Sequence, residues 1–170
     1  MKLLVGPLDQ VARLCAEHRP SHLVSWLSPV DAPPELEAGF APERRLLLSS
    51  HDICEPQEGL VLPNREHVLE LFAFADAWTG EAPRLVHCWA AVSRSTAAAY
   101  AVACRKRPDL PEAELARRLR ALSPEATPNA RIVGLADELL GRSGRMSAAV
   151  QAIGRGAEAP LGRPFMLAVR

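Results

Sequence analysis

From Arg84 the chain runs Arg-Leu-Val-His-Cys, then Trp-Ala-Ala-Val-Ser, then Arg-Ser-Thr and a long alanine-rich stretch to Arg107. A short apolar run followed almost at once by a helix-length segment predicts a strand, a tight loop and a helix in direct succession. The loop N–H groups and the first helical turn then face one concave spot, an electropositive nest suited to an oxyanion such as phosphate. Cys88 stands on the floor of that nest, where a helix N-terminus and a guanidinium both favour thiolate over thiol. Arg94, six positions later, carries a planar fork that can grip two phosphate oxygens while the sulfur faces the phosphorus. A lone pair of this kind also fits a buried, inert thiol and a surface arginine. The flanking strand, the preceding His87 and the unbroken helix after Arg94 favour the nest.

The remainder of the chain repeats the strand–helix alternation. Residues 2–5 read as a strand, and Gly6-Pro7 as the opening of a helix with Leu8, Val11, Ala12 and Cys15 on one face. Residues 22–27 are a second strand, followed by a proline-rich loop from Pro29 to Pro42. Residues 45–49 form a third, whose continuous apolar run predicts burial on both faces. A helix is expected from Asn64 to Trp78 with Val68, Leu71, Phe72 and Ala75 inward, and a fourth strand from Arg84 to His87. After the alanine-rich helix, Asp109-Leu110-Pro111-Glu112 has the form of a capping box, Thr127-Pro128-Asn129 begins a further helix that Gly141 ends, and Ser143 is a candidate cap for the last. The fold class is therefore α/β, with a mostly parallel sheet of four to five strands flanked by helices. One domain is expected over 1–155, with 156–170 as a tail carrying no firm signal. Ligands of such sheets bind beyond the carboxyl ends of the strands, where both Asp52 and Cys88 fall.

Twenty basic and twenty acidic residues give a formal net charge of zero, so nothing global favours nucleic acid or an anionic membrane. No run reaches the length of a membrane-spanning helix, and a cytoplasmic location is expected. Cys15, Cys54, Cys88 and Cys104 are scattered, which indicates neither a metal site nor a disulfide framework.

From His87 to Ser95 the sequence resembles the cysteine-dependent protein tyrosine and dual-specificity phosphatases, whose signature is His-Cys, five residues, Arg, then Ser or Thr. The order of elements agrees over most of the chain. The resemblance implies a dual-specificity-type fold and a phosphomonoester hydrolase that needs no metal and no cofactor. In it Cys88 forms a phosphocysteine intermediate, while Arg94 and the N–H groups of Trp89, Ala90, Ala91, Val92 and Ser93 bind the phosphate. A phosphate or sulfate ion would occupy the same loop. Ser95 would hydrogen-bond the departing sulfur, a role compatible with capping the helix, and His87 would either orient the loop or stand unengaged. The general acid lies on a loop at about the place of Asp52, 36 residues before Cys88. Asp52 can equally be a turn residue. Asp31 is a weaker candidate for the acid, Glu55 and Glu58 could substitute, and Asp76 reads as solvated surface.

The family has glycine where this chain has Ala91, and a positive φ there would cost on the order of 1 kcal/mol. Members acting on inositol lipids or polyphosphates tend to carry lysines in the loop, and none occurs here. A single phosphate on an apolar or aromatic group fits better: a phosphorylated protein, phosphotyrosine first, or a small aryl or alkyl phosphate. Trp89 either lines the rim of the site or belongs to the core. Two alternatives stay open. One is a phosphate-binding module without turnover. The other is a sulfur or arsenate transfer enzyme, for which Cys54 is the candidate second cysteine.

Overall fold

The pleat of the strands decides how the layers form. Leu3, Val5, Val24, Trp26 and Val86 point to one face of the sheet, and Leu4, Leu23 and Leu85 to the other. The computed structural model describes residues 1–36, 44–79 and 81–169. Within them β1 (Lys2–Pro7), α1 (Val11–His18), β2 (His22–Leu27), β3 (Arg45–Ser49), α2 (Arg65–Asp76), β4 (Arg84–Cys88), α3 (Arg94–Lys106), α4 (Glu112–Leu122), α5 (Ala130–Leu139), α6 (Arg145–Ile153) and β5 (Phe165–Ala168) follow in order. The sheet runs β3-β2-β4-β1-β5. It is parallel except for β5, which pairs antiparallel with β1. Helices α2 to α6 share the core on the first face, whereas Val11 and Leu14 of α1 cover the centre of the second.

Helix α3 is the centre of the larger layer, and Arg94 to Cys104 are buried throughout. Alanine at positions 97, 98, 99, 101 and 103 lets neighbouring elements approach this helix closely from several sides. Helix α2 begins at a reciprocal cap: the Asn64 side chain accepts from the His67 N–H, and His67 Nδ1 accepts from the Asn64 N–H.

Several local expectations give way. Strand β1 continues to Pro7, opposite Cys88, and the first helix starts at Val11 after a short 3-10 turn. Strand β3 is an edge strand with Leu48 alone buried and Leu47 54% exposed, because α1 reaches the central strands and leaves the rim of that face bare. Asp109 caps nothing; Arg107 takes its carboxylate, and α4 begins after Pro111 without a side-chain cap. Helix α6 is preceded by Gly144 in the left-handed region, with Ser143 also at positive φ. Residues 156–169 include β5, with Phe165, Leu167 and Val169 buried in the main core. The proline-rich loop between β2 and β3 lies partly outside the described residues.

Candidate functional site

Strand β4 delivers Cys88 to the carboxyl edge of the sheet, and the next five residues wrap from there to the start of α3. Their carbonyl groups are drawn outward by neighbours from four parts of the chain. Trp89 O accepts from Leu8 N at 3.1 Å and Ala90 O from Gly162 N at 2.7 Å. Val92 O accepts from Thr127 N at 2.8 Å, and Ser93 O from Ala97 N at 3.0 Å and Asn129 N at 3.3 Å. Thr96 Oγ1 adds a bond to each of the last two carbonyls. No N–H from Trp89 to Ser93 donates to another backbone group among the described residues. Carbonyls turned out and N–H groups left over make a loop that attracts an anion. Ala91 takes φ 58°, the left-handed turn this wrapping requires.

Cys88 is buried at the base of the loop with its sulfur 3.1 Å from Ser95 Oγ. Beneath it His87 is fully buried, with Nε2 2.6 Å from Ser25 Oγ and Nδ1 3.3 Å from the Cys88 carbonyl. A carbonyl can only accept, so Nδ1 carries the proton and Nε2 takes the Ser25 hydroxyl hydrogen. Burial, with the nearby Arg94 charge adding to it, pushes the ring down to about 4, and the bond to the Cys88 carbonyl opposes the shift. The ring is neutral near pH 7 and holds the end of β4 in place.

Arg94 is itself buried, an uncommon place for a guanidinium. Its Nη1 donates to Ser50 O at 2.7 Å and to Ser28 Oγ at 3.1 Å, the residues that directly follow β3 and β2. Ser50 is fixed in turn, since its hydroxyl accepts from Trp26 Nε1 at 2.7 Å. Arg94 Nε is buried with no partner among the described residues. A buried, unsatisfied donor of a permanent cation beside a ring of free N–H groups calls for an anion.

Asp52, exposed after β3, is tethered to this loop. Its Oδ1 accepts from Ser93 Oγ at 2.7 Å and from Asn129 Nδ2 at 2.8 Å. The Asn129 side chain meanwhile caps α5 by accepting from the N–H groups of Arg131 and Ile132. A pair of bonds between His51 and Val61 closes the base of the Asp52 loop. The pocket so formed has a volume of about 470 Å³. It is lined by Cys88, Trp89, Ala90, Val92, Ser93 and Arg94 together with Ser28, Asp31, Asp52 and Ala159. Trp89 is 56% exposed, which places its indole on the rim rather than in the core.

The sequence-derived residues thus meet in one place, with Asp31 also on the wall. Asp31 is engaged in its own turn, where its carboxylate accepts from Ser28 N. Glu55, Glu58 and Cys54 are exposed and do not line the pocket. Asp76 pairs with Arg105 and Lys106 on the surface, and the Arg105 hydrogen bond holds its carboxyl below the ordinary carboxylate range against the opposing effect of burial. Sequence reasoning missed Ser25, Ser28, the support role of Ser50, and Gly162. Each is a common residue type whose partner lies dozens of positions away, and no local pattern marks it. Asn129 carried a signal, its place at a helix start, but that explained the cap and not the bond to Asp52.

Neither a protein-family model nor a curated protein sequence matches this chain. Solved structures do. The Yvh1 phosphatase domain from Chaetomium thermophilum superposes with a TM-score of 0.53 at 22% identity, over 84% of this chain and 92% of that one. DUSP15 gives 0.59 at 19% identity, over 91% and 92%. A mouse dual specificity phosphatase complexed with zinc tungstate gives 0.58 at 16% identity, over 88% and 85%. The chain therefore has the dual-specificity phosphatase fold, a mixed and mostly parallel five-stranded sheet flanked by helices. No helix among the described residues is long and apolar enough to cross a membrane.

Proposed function

We propose that this protein hydrolyses phosphate monoesters, with phosphotyrosine or a comparable aryl phosphate as the preferred substrate class. The observation that carries the reading is the loop itself: five N–H groups without backbone partners among the described residues, a buried cysteine at their base and a buried guanidinium whose Nε has no partner there. Cys88 sulfur attacks phosphorus, and the P–O bond to the leaving group breaks on the opposite side. Negative charge spread over the three equatorial oxygens is met by the loop N–H groups and by Arg94 Nε. The leaving oxygen takes its proton from Asp52. Among the described residues both bonds to that carboxylate go to Oδ1, which leaves Oδ2 for the transfer. Water then attacks the phosphocysteine, releasing inorganic phosphate and the sulfur, whose returning charge is met by the Ser95 hydroxyl.

Trp89 at the rim offers a face for an aromatic leaving group, and no lysine in the loop selects for additional phosphates. A complex of one fold relative with tungstate, an oxyanion of the same tetrahedral form as phosphate, is in keeping with this reading. Sulfur transfer is disfavoured, because Cys54 lies off the pocket wall.

The test is turnover of para-nitrophenyl phosphate with and without a chelator. Activity that resists the chelator, vanishes in Cys88→Ser and falls by about 10³-fold in Arg94→Ala supports the hydrolase, on the scale that loss of a major transition-state donor produces. A folded native chain that binds orthovanadate through Arg94 yet turns nothing over is instead a phosphate-binding module.

A further inference from the structure

We infer that Gly162, on the segment between α6 and β5, is a positioning residue that holds the anion loop in its binding shape. The inference rests on the loop being the phosphate site, and it adds a part of the chain more than sixty positions away from that loop. Ala91 is a residue with a Cβ in the left-handed region, a conformation that alanine does not choose unaided. Something outside the loop has to select it. Gly162 is placed to do so: its N–H donates to Ala90 O at 2.7 Å, and the side where a Cβ would stand faces the Ala91 carbonyl. A Cβ built on Gly162 would stand 2.8 Å from Ala91 O, 3.2 Å from Ala91 C and 3.3 Å from Ala90 O. No real side chain occupies a gap of 2.8 Å, and the obstacle is backbone that cannot rotate away.

The segment carrying Gly162 is anchored on the connection between α4 and α5 and on β1 as well as on the loop, so it constrains the loop rather than following it. Ala157 N donates to Pro124 O at 2.9 Å, Gly156 N to Thr127 Oγ1 at 3.0 Å, and Arg163 Nε to Glu125 Oε1 at 3.0 Å. Beyond it β5 is zipped to β1. With both ends held, Gly162 keeps the Ala90 and Ala91 carbonyls on the outer side, and the N–H groups of the same peptides stay turned to the anion. A methyl at 162 must push the Ala91 carbonyl by several tenths of an ångström, and displacement on that scale within a cradle costs anion affinity on the order of 10- to 100-fold.

The experiment compares the native chain with Gly162→Ala, reading orthovanadate affinity, kcat and KM for para-nitrophenyl phosphate, and near-ultraviolet circular dichroism. A folded variant whose vanadate affinity and kcat both fall at least 10-fold supports the inference. A folded variant that binds vanadate within twofold of the native chain overturns it. If Gly162→Ala fails to fold, amide exchange in the native chain decides. Saturating vanadate should slow exchange at Gly162 at least 10-fold more than at Ala157, whose N–H on the same segment goes to Pro124 O and not to the loop. Equal or no slowing at the two sites overturns the inference. A native chain that binds vanadate but hydrolyses nothing refutes the hydrolase and leaves this inference standing, and one that does not bind vanadate refutes both.

Discussion

His87 shows how one side chain links stability to pH at the base of the site. Its ring titrates near 4 in the folded chain, against an ordinary imidazole value near 6.5. The neutral ring is the form the fold accepts, so its contribution is complete above about pH 6.5 and is lost as pH falls toward 4. The loss amounts to about 3 kcal/mol by linkage. Urea titrations at pH 7 and pH 4.5 should show most of this fall in the native chain and a smaller one in His87→Gln; equal falls in both would assign the acid sensitivity elsewhere. Asp52 has a different test, because a general acid matters in proportion to how badly the leaving group needs a proton. Asp52→Asn should lose about 10²-fold or more in kcat on phenyl phosphate and little on 2,4-dinitrophenyl phosphate, whose phenolate departs unaided. Equal losses on both would make Asp52 a loop support. The sequence alone offered Cys88, Arg94 and Asp52 as candidates, because spacing from a strand end is a local property, and the fold brings them to one pocket. It hid Ser25, Ser28 and Gly162, whose contacts arise when distant strands and a late segment are brought to one edge.

At the scale of elements, α3 was legible and β3 was misleading, and the reason is the same in both. A run of apolar residues reports burial without saying which neighbours provide it. For α3 the alanines left little choice, since a helix so poor in large side chains has to be approached closely from several sides. Ala101 is wholly buried there. Ala101→Leu should cost roughly 1–3 kcal/mol by overpacking, read as a lower urea midpoint with an unchanged slope. An unchanged midpoint would mean that α3 has room beside it. For β3 the run Leu46-Leu47-Leu48 suggested a strand buried on both faces, yet the strand lies at the rim, with Leu47 on the face whose centre alone α1 covers. Caps were the other weak point. Asp109 has the residue type for a cap, but Arg107 two positions earlier holds its carboxylate.

The whole molecule depends on its last segment more than the alternation of strands and helices suggests. Residues 156–169 carry no extended periodicity, because β5 contributes a single short antiparallel strand, too brief for a pattern to emerge. Its consequences are nevertheless global. Pairing with β5 makes β1 an interior strand, and β1 holds the Cys88 strand in register from Leu3–Arg84 to Pro7–Cys88. Phe165, Leu167 and Val169 enter the same core as α3, and full burial of side chains of this size is worth about 1.5–3 kcal/mol each. Three such losses approach the roughly 5–15 kcal/mol by which a domain is stable. Removal would also bare the N–H and C=O groups of β1 along an apolar edge that can pair with other chains. We therefore propose that the folding unit runs through β5. A chain cut after Arg155 should aggregate or unfold without a cooperative transition, whereas one cut after Val169 should keep the native urea midpoint. If the shorter chain unfolds cooperatively and still binds vanadate, the domain is complete at 155, and the Gly162 contact is dispensable for the loop.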